Sequence, residues 1–231
     1  MNLDVHFFVG LKLAKWFHDS GIKSVTEMDW WDNGDIVLEK WTSPKANVNN
    51  LDTKYDNKST ASSPDRIHAQ ISCLPSQHGS MRTLFDFNHT LWVSWAVTSG
   101  GKSVWFAGDT GYRYVPEGME ELGPGFNELP RNPNFSDVGN LRGPFDLGLI
   151  PIGAYAPRFM YSPVHASPYD AVEIFQDTKC RNALGIHWGT WALTSEAVDE
   201  PPKKLKEALK IKGLAQTGLF DVWAVGESRE F

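Results

Sequence analysis

The chain has 231 residues, 41% of them hydrophobic and 22% charged, enough for one ordinary domain with a core of some size. Its 22 Lys and Arg stand against 28 Asp and Glu, a formal net charge of −6, which disfavours a nucleic-acid partner and supplies no polybasic patch for anionic lipid. The two cysteines, Cys73 and Cys180, lie far apart in no CxxC pattern, so a disulfide framework is not expected.

In chain order, the spacing of apolar residues predicts a helix over residues 11–20, stopped by Gly21. Residues 22–41 alternate like a hairpin with Asn33-Gly34 as its turn. Residues 43–65 are rich in Ser, Asn, Asp and Lys and read as a polar loop insertion. A strand begins at Arg66 and runs into a loop at Pro75. Residues 91–99 and 102–110 form two more strands turned by Gly100-Gly101. A second irregular insertion is expected near 123–143, where Pro124, Pro130 and Pro133 accompany several Asn and Gly.

A buried strand follows over residues 145–155. A helix then starts at Pro168, with Ser167 as N-cap and Asp170 in its first turn. Residues 182–187 read as a short strand, 200–213 as a helix and 220–225 as a closing strand. Strands alternating with helices and hairpins argue for one α/β layered domain over residues 1–231. The ten tryptophans sit mostly in apolar runs and are expected in the core. With no apolar run of about twenty residues and no signal-like N-terminus, the chain reads as intracellular, cytoplasmic or peripheral to an organelle membrane.

Three residues share one context: His78, Asp109 and His187 each lie just past the C-terminal end of an expected strand, where loops build sites on a rigid scaffold. Imidazole and carboxylate suit zinc. Each has a second reading from the residues alone: His78 as a hydrogen-bonded loop histidine, Asp109 as a turn former in GDTG, His187 as a core histidine.

The stretches Asp29-Trp30-Trp31, Pro75-Ser76-Gln77-His78, Phe106 to Tyr112, Ile150 to Tyr155 and Ile186 to Leu193 resemble the N-acyl-phosphatidylethanolamine-hydrolysing phospholipase D family of the metallo-β-lactamase superfamily. That resemblance implies a metallo-β-lactamase αββα sandwich with two zinc ions. His78 would bind the first zinc, His187 the second, and Asp109 would bridge both and act in catalysis with the metals' hydroxide. It also implies a membrane phospholipid substrate, with phosphatidic acid and an N-acylethanolamine as products. His165 stands where the family carries a histidine near the cleft and is a second catalytic candidate, against a reading as a helix-entry residue. Arg158 is the candidate for holding a lipid phosphate, against a reading as a salt bridge.

One departure limits these expectations. The family's remaining ligands come from an H-x-H-x-D-H motif, and none of the seven histidines here has that spacing. The chain is therefore expected to be an N-terminally truncated sandwich that binds zinc weakly and hydrolyses little, with an exposed apolar face that leaves room for an oligomer. The alternatives are a non-catalytic interaction module of the same fold and another hydrolase of the superfamily.

Overall fold

The computed structural model describes residues 5–39, 66–224 and 226–230. The expected insertion at 43–65 lies outside the described residues.

The larger of two sheets has seven strands in the order β3 (Asn33–Glu39), β4 (Arg66–Leu74), β5 (Ser94–Ser99), β6 (Lys102–Phe106), β7 (Leu147–Pro151), β8 (Asn182–Ile186) and β9 (Phe220–Asp221). Neighbours are antiparallel from β3 to β6 and parallel from β6 to β9. The hairpin β5–β6 forms as its Gly-Gly signal predicts. Gly100 and Gly101 both have positive φ, 56° and 77°, which twists the turn to match the strands. The parallel half is connected through helices, because parallel neighbours need a crossover.

Asn33-Gly34 is not a hairpin turn, contrary to expectation. Both residues lie in β3, paired with Ser72 and Ile71 of β4. Gly34 is small because the ring of Phe8 packs on it; a Cβ there would come within 3.2 Å of Phe8 Cε1. The reversal sits just before it, where Asp32 Oδ2 accepts from the Asp29 N–H at 2.8 Å and Trp31 has φ +77°. The preceding strand, β2 (Val25–Met28), pairs instead in parallel with β1 (Phe7–Gly10) in a separate two-stranded sheet. Between these strands runs α1 (Ala14–Asp19), shorter than the expected helix and with no buried residue.

The small sheet covers the β3–β4 end of the large one through Phe8. On its outer side, Phe7 meets Phe17 of α1 with ring centroids 5.1 Å apart. On the far side of the large sheet lie α2 (Asn134–Leu141), α4 (Pro168–Asp177) and α5 (Glu200–Ile211), with α4 central and resting on β7. The layers thus run helix, small sheet, large sheet, helices, as in the expected αββα sandwich.

The core fills the space under α2, α4 and α5. Ala96, Trp105, Ala183 and Phe220 occupy one row across the sheet and are all buried. Trp105 stacks on Phe145, its indole N–H donating to Ser94 Oγ at 3.1 Å. At roughly 25 cal/mol per Å², an aromatic side chain so buried contributes about 4–5 kcal/mol before ordering costs. In α5, Leu205, Ala208 and Leu209 recur at helical spacing and face α4, while the lysines face water. Helix α4 starts as expected: Ser167 Oγ accepts from the Asp170 N–H at 3.3 Å, with Pro168 in the first turn.

Residues 123–143, expected as irregular, are ordered in part. They contain a 3₁₀ turn, Phe126–Glu128, and α2, with Phe126, Phe135 and Val138 fully buried. Not all tryptophans are in the core, since Trp16 and Trp191 are mostly exposed.

Candidate metal centre

Strands β4 and β6 are both antiparallel to β5, and β7 and β8 are parallel to β6, so the C-terminal ends of all four emerge along one edge. His78 follows β4, Asp109 follows β6, and His187 follows β8 directly. Backbone and side-chain bonds sew their loops together. Thr110 Oγ1 accepts from the Gln77 N–H at 2.8 Å, and the Gly111 N–H donates to Gln77 O at 2.7 Å. Gln77 Nε2 donates to Pro163 O at 2.9 Å, and the Ala166 N–H donates to Thr110 O at 2.7 Å. Gly111 fits this weave because a Cβ would stand 2.5 Å from Pro163 O.

The sewn loops bring four expected residues into one cluster. His187 Nε2 lies 3.4 Å from Asp109 Oδ1. The His187 ring stacks on that of His165 with centroids 5.3 Å apart, and His165 meets His78 edge-on, also at 5.3 Å. His187 Nδ1 faces Gly153 O at 3.4 Å and His78 Nδ1 faces Gly79 O at 2.8 Å, leaving each Nε2 as the atom that can ligate. His187 sits in the left-handed region, φ +61°, an uncommon conformation for a residue with a side chain and one often found at functional sites. Burial, followed by the neighbouring imidazoles of His187 and His78, pushes His165 down to about 4. Its Nδ1 is buried without a hydrogen-bond partner.

These groups are of the kind that holds zinc, but they are too few. Among the described residues no group of three or more His, Cys, Asp or Glu is arranged to hold a metal ion. A catalytic zinc normally takes three protein ligands and keeps one open position. The described residues therefore do not form a closed site for either of two metals, and no reaction step is assigned through one.

Arg158, expected as a phosphate contact or a salt bridge, is ion-paired in the structure. It lies in the short helix α3 (Arg158–Tyr161), ion-paired to Glu121 at 3.1 Å and more closely to Asp170, and it donates to His165 O at 3.2 Å. Only 11% of its side chain is exposed. A guanidinium held this way supports the backbone under His165.

Glu196 was not among the expected residues. Its Oε1 accepts from the Ala154 N–H at 2.6 Å and its Oε2 from the Ala156 N–H at 3.0 Å, while Thr194 Oγ1 donates to it at 2.8 Å. It clamps the loop after β7 to the loop after β8, and so holds Gly153 beside His187. In the sequence it is one of several acids near the start of α5, with nothing to set it apart. Between the two clamped loops lies a cavity of about 280 Å³, bordered by His187, Trp188, Trp191 and Leu193.

Comparison with known proteins adds to this geometry. The β-lactamase superfamily domain pattern matches residues 8–188. The chain is 34% identical over 215 residues to N-acyl-phosphatidylethanolamine-hydrolyzing phospholipase D 1 of Caenorhabditis elegans, covering 90% of this chain and 48% of that protein. It is 30% identical over 203 residues to the mitochondrial N-acyl-phosphatidylethanolamine-hydrolyzing phospholipase D of Saccharomyces cerevisiae, covering 87% of this chain and 36% of that protein. The chain thus spans half or less of the length of these relatives. Among solved structures, a metallo hydrolase from the archaeon Ignicoccus hospitalis superposes with a TM-score of 0.53 at 16% identity, covering 96% of this chain and 67% of that one, a likeness of fold.

Proposed function

The chain belongs to the β-lactamase superfamily, and we propose from this premise that it serves hydrolysis of the phosphodiester of N-acyl-phosphatidylethanolamine, releasing N-acylethanolamine and phosphatidic acid. In this reading His78, Asp109 and His187 are metal-ligand positions, zinc is the metal, and His165 lies against the reacting group. The observation that carries it is the meeting of three imidazoles and one carboxylate at a single sheet edge, from positions as far apart as 78 and 187. The substrate comes from the names of the relatives.

The same reading holds that these 231 residues alone bind zinc weakly and turn over little, because the donor set is not closed. Metal analysis of the purified chain should find less than one tightly held zinc; two per molecule would contradict the incomplete-site reading. Joining the chain to a segment bearing the H-x-H-x-D-H motif should raise zinc content and bring release of N-acylethanolamine. An assembled, zinc-loaded protein that releases none would remove the hydrolase reading.

The second reading, a non-catalytic interaction module, is favoured by the same unclosed donor set together with an apolar sheet face that is partly exposed among the described residues. Val97, Val104 and Phe106 on that face are 41%, 38% and 42% exposed. The assembled-protein assay separates the two readings, since an interaction module stays inactive when the missing donors are supplied.

A further inference from the structure

We propose that the loop joining β4 to β5 is a lipid-docking finger whose tip, Leu84 and Phe85, enters a zwitterionic phospholipid surface beside the histidine cluster. The proposal rests on the phospholipid reading above and adds to it the face that meets the bilayer. Leu84 and Phe85 are each 89% exposed, and Phe87 and Met81 are 66% and 53% exposed. Four large apolar side chains within seven residues, facing water, mark a contact surface more than a loop's ordinary composition.

The tip is displayed by construction. Asp86 Oδ1 accepts from the backbone N–H groups of Arg82 at 2.9 Å and Thr83 at 2.7 Å, which closes the turn that carries Leu84 and Phe85 outward. At the base, the Asn88 N–H donates to Ser80 O at 2.6 Å and Ser80 Oγ donates to Thr90 O at 2.8 Å. A loop braced at tip and base holds its apolar side chains in place, where an unbraced one would fold them back onto the protein.

Shape, charge and position select the occupant. At 89% exposure Leu84 and Phe85 stand on a convex tip, which a folded protein partner would have to receive in a matching cleft; the headgroup–acyl boundary needs none. Residues 79–93 hold one basic residue, Arg82, and one acid, Asp86, so the finger is electrically balanced and suits a surface without net charge. The finger leaves the sheet just past His78. A second loop leaves through His187 and carries Trp191 and Leu193, 78% and 73% exposed. Both apolar tips therefore depart from residues of one cluster, and a bilayer touching them lies against the site.

Cosedimentation with phosphatidylcholine/phosphatidylethanolamine vesicles tests this on the full chain. Binding should persist at about 0.5 M NaCl, where exposed charges are screened. It should fall about tenfold or more in Leu84→Asp/Phe85→Asp. Both side chains are solvated, so unfolding of the variant should match the parent. Val104→Lys, on the partly exposed sheet face, should leave vesicle binding unchanged. The proposal is overturned if the parent chain does not bind, if the double Asp variant binds as well as the parent, or if Val104→Lys removes binding equally. Turnover of a water-soluble short-chain substrate by the assembled protein, without vesicle binding, would sink the finger and leave the hydrolase reading. Vesicle binding without turnover would do the reverse.

Discussion

Behind the histidine cluster, Asp170 receives two arginines. Arg113 Nε donates to its Oδ1 at 2.7 Å, Arg158 pairs with Oδ2, and Glu173 takes the other side of the Arg113 guanidinium and the ammonium of Lys212. Neither Asp170 nor the Arg113 side chain has any exposed surface. Charges this deep are tolerable only because each faces an opposite one; removing one partner leaves an uncompensated ion and typically costs about 3–5 kcal/mol. Asp170→Ala should therefore lower unfolding free energy in urea by about that amount. It should also disturb the His165 ring, since Arg158 bonds both Asp170 and His165 O. A variant within about 1 kcal/mol of the parent would mean that the arginines find water or other acceptors and that the network is not structural.

At the scale of elements, α2 shows how a poor helix sequence is made to hold. Asn134, Ser136, Gly139 and Asn140 favour helix weakly, which is why the stretch reads as irregular from sequence. What orders it is the burial of Phe135 and Val138, and a crossing with α4 so close that a Cβ on Gly139 would sit 2.0 Å from Asp177 O. On propensity alone Gly139→Ala would stabilise an exposed helix by up to about 1 kcal/mol. Here it should destabilise by about 1–3 kcal/mol, because α2 must move off α4. Thermal unfolding of the variant decides the sign, and a raised midpoint would show that the crossing has room.

The same contrast governs what the sequence discloses. Gly100-Gly101 is legible as a turn because its reason is local: two positive φ angles. Asn33-Gly34 misleads because its reason is tertiary, the ring of Phe8 from a strand distant in the chain. His78, Asp109 and His187 stand out because strand ends are local features. The bonds by which Gln77, Thr110 and Glu196 draw those ends together are not, for they link residues with no shared pattern.

For the whole molecule, the two faces of the large sheet carry opposite fates. Trp105 and its row are sealed under helices, whereas the alternate row is Trp95, Phe106, Leu149 and Leu184, flanked by Val97, Val104 and Leu147. Alternation places all of these on the side where β1 and β2 lie, and among the described residues β1 touches β3 and β4 through Phe8 and the chain entering β5 through Gly10. In this apolar run across four strands Val97, Val104 and Phe106 are 41%, 38% and 42% exposed, and contiguous apolar surface of this kind marks a contact face. At about 25 cal/mol per Å², covering each further 200 Å² of it favours association by roughly 5 kcal/mol before entropy costs. The isolated chain should therefore bind a hydrophobic dye in its native state and self-associate as its concentration rises, measured by dye fluorescence and sedimentation velocity. Val104→Lys, at a position already 38% exposed, should weaken self-association and dim the dye without lowering cooperativity of unfolding. Leu84→Asp/Phe85→Asp should change self-association little, since the finger lies outside the sheet. A parent chain that sediments as a monomer and takes up no dye would show that the face is too small or too well screened by its own side chains to drive contact.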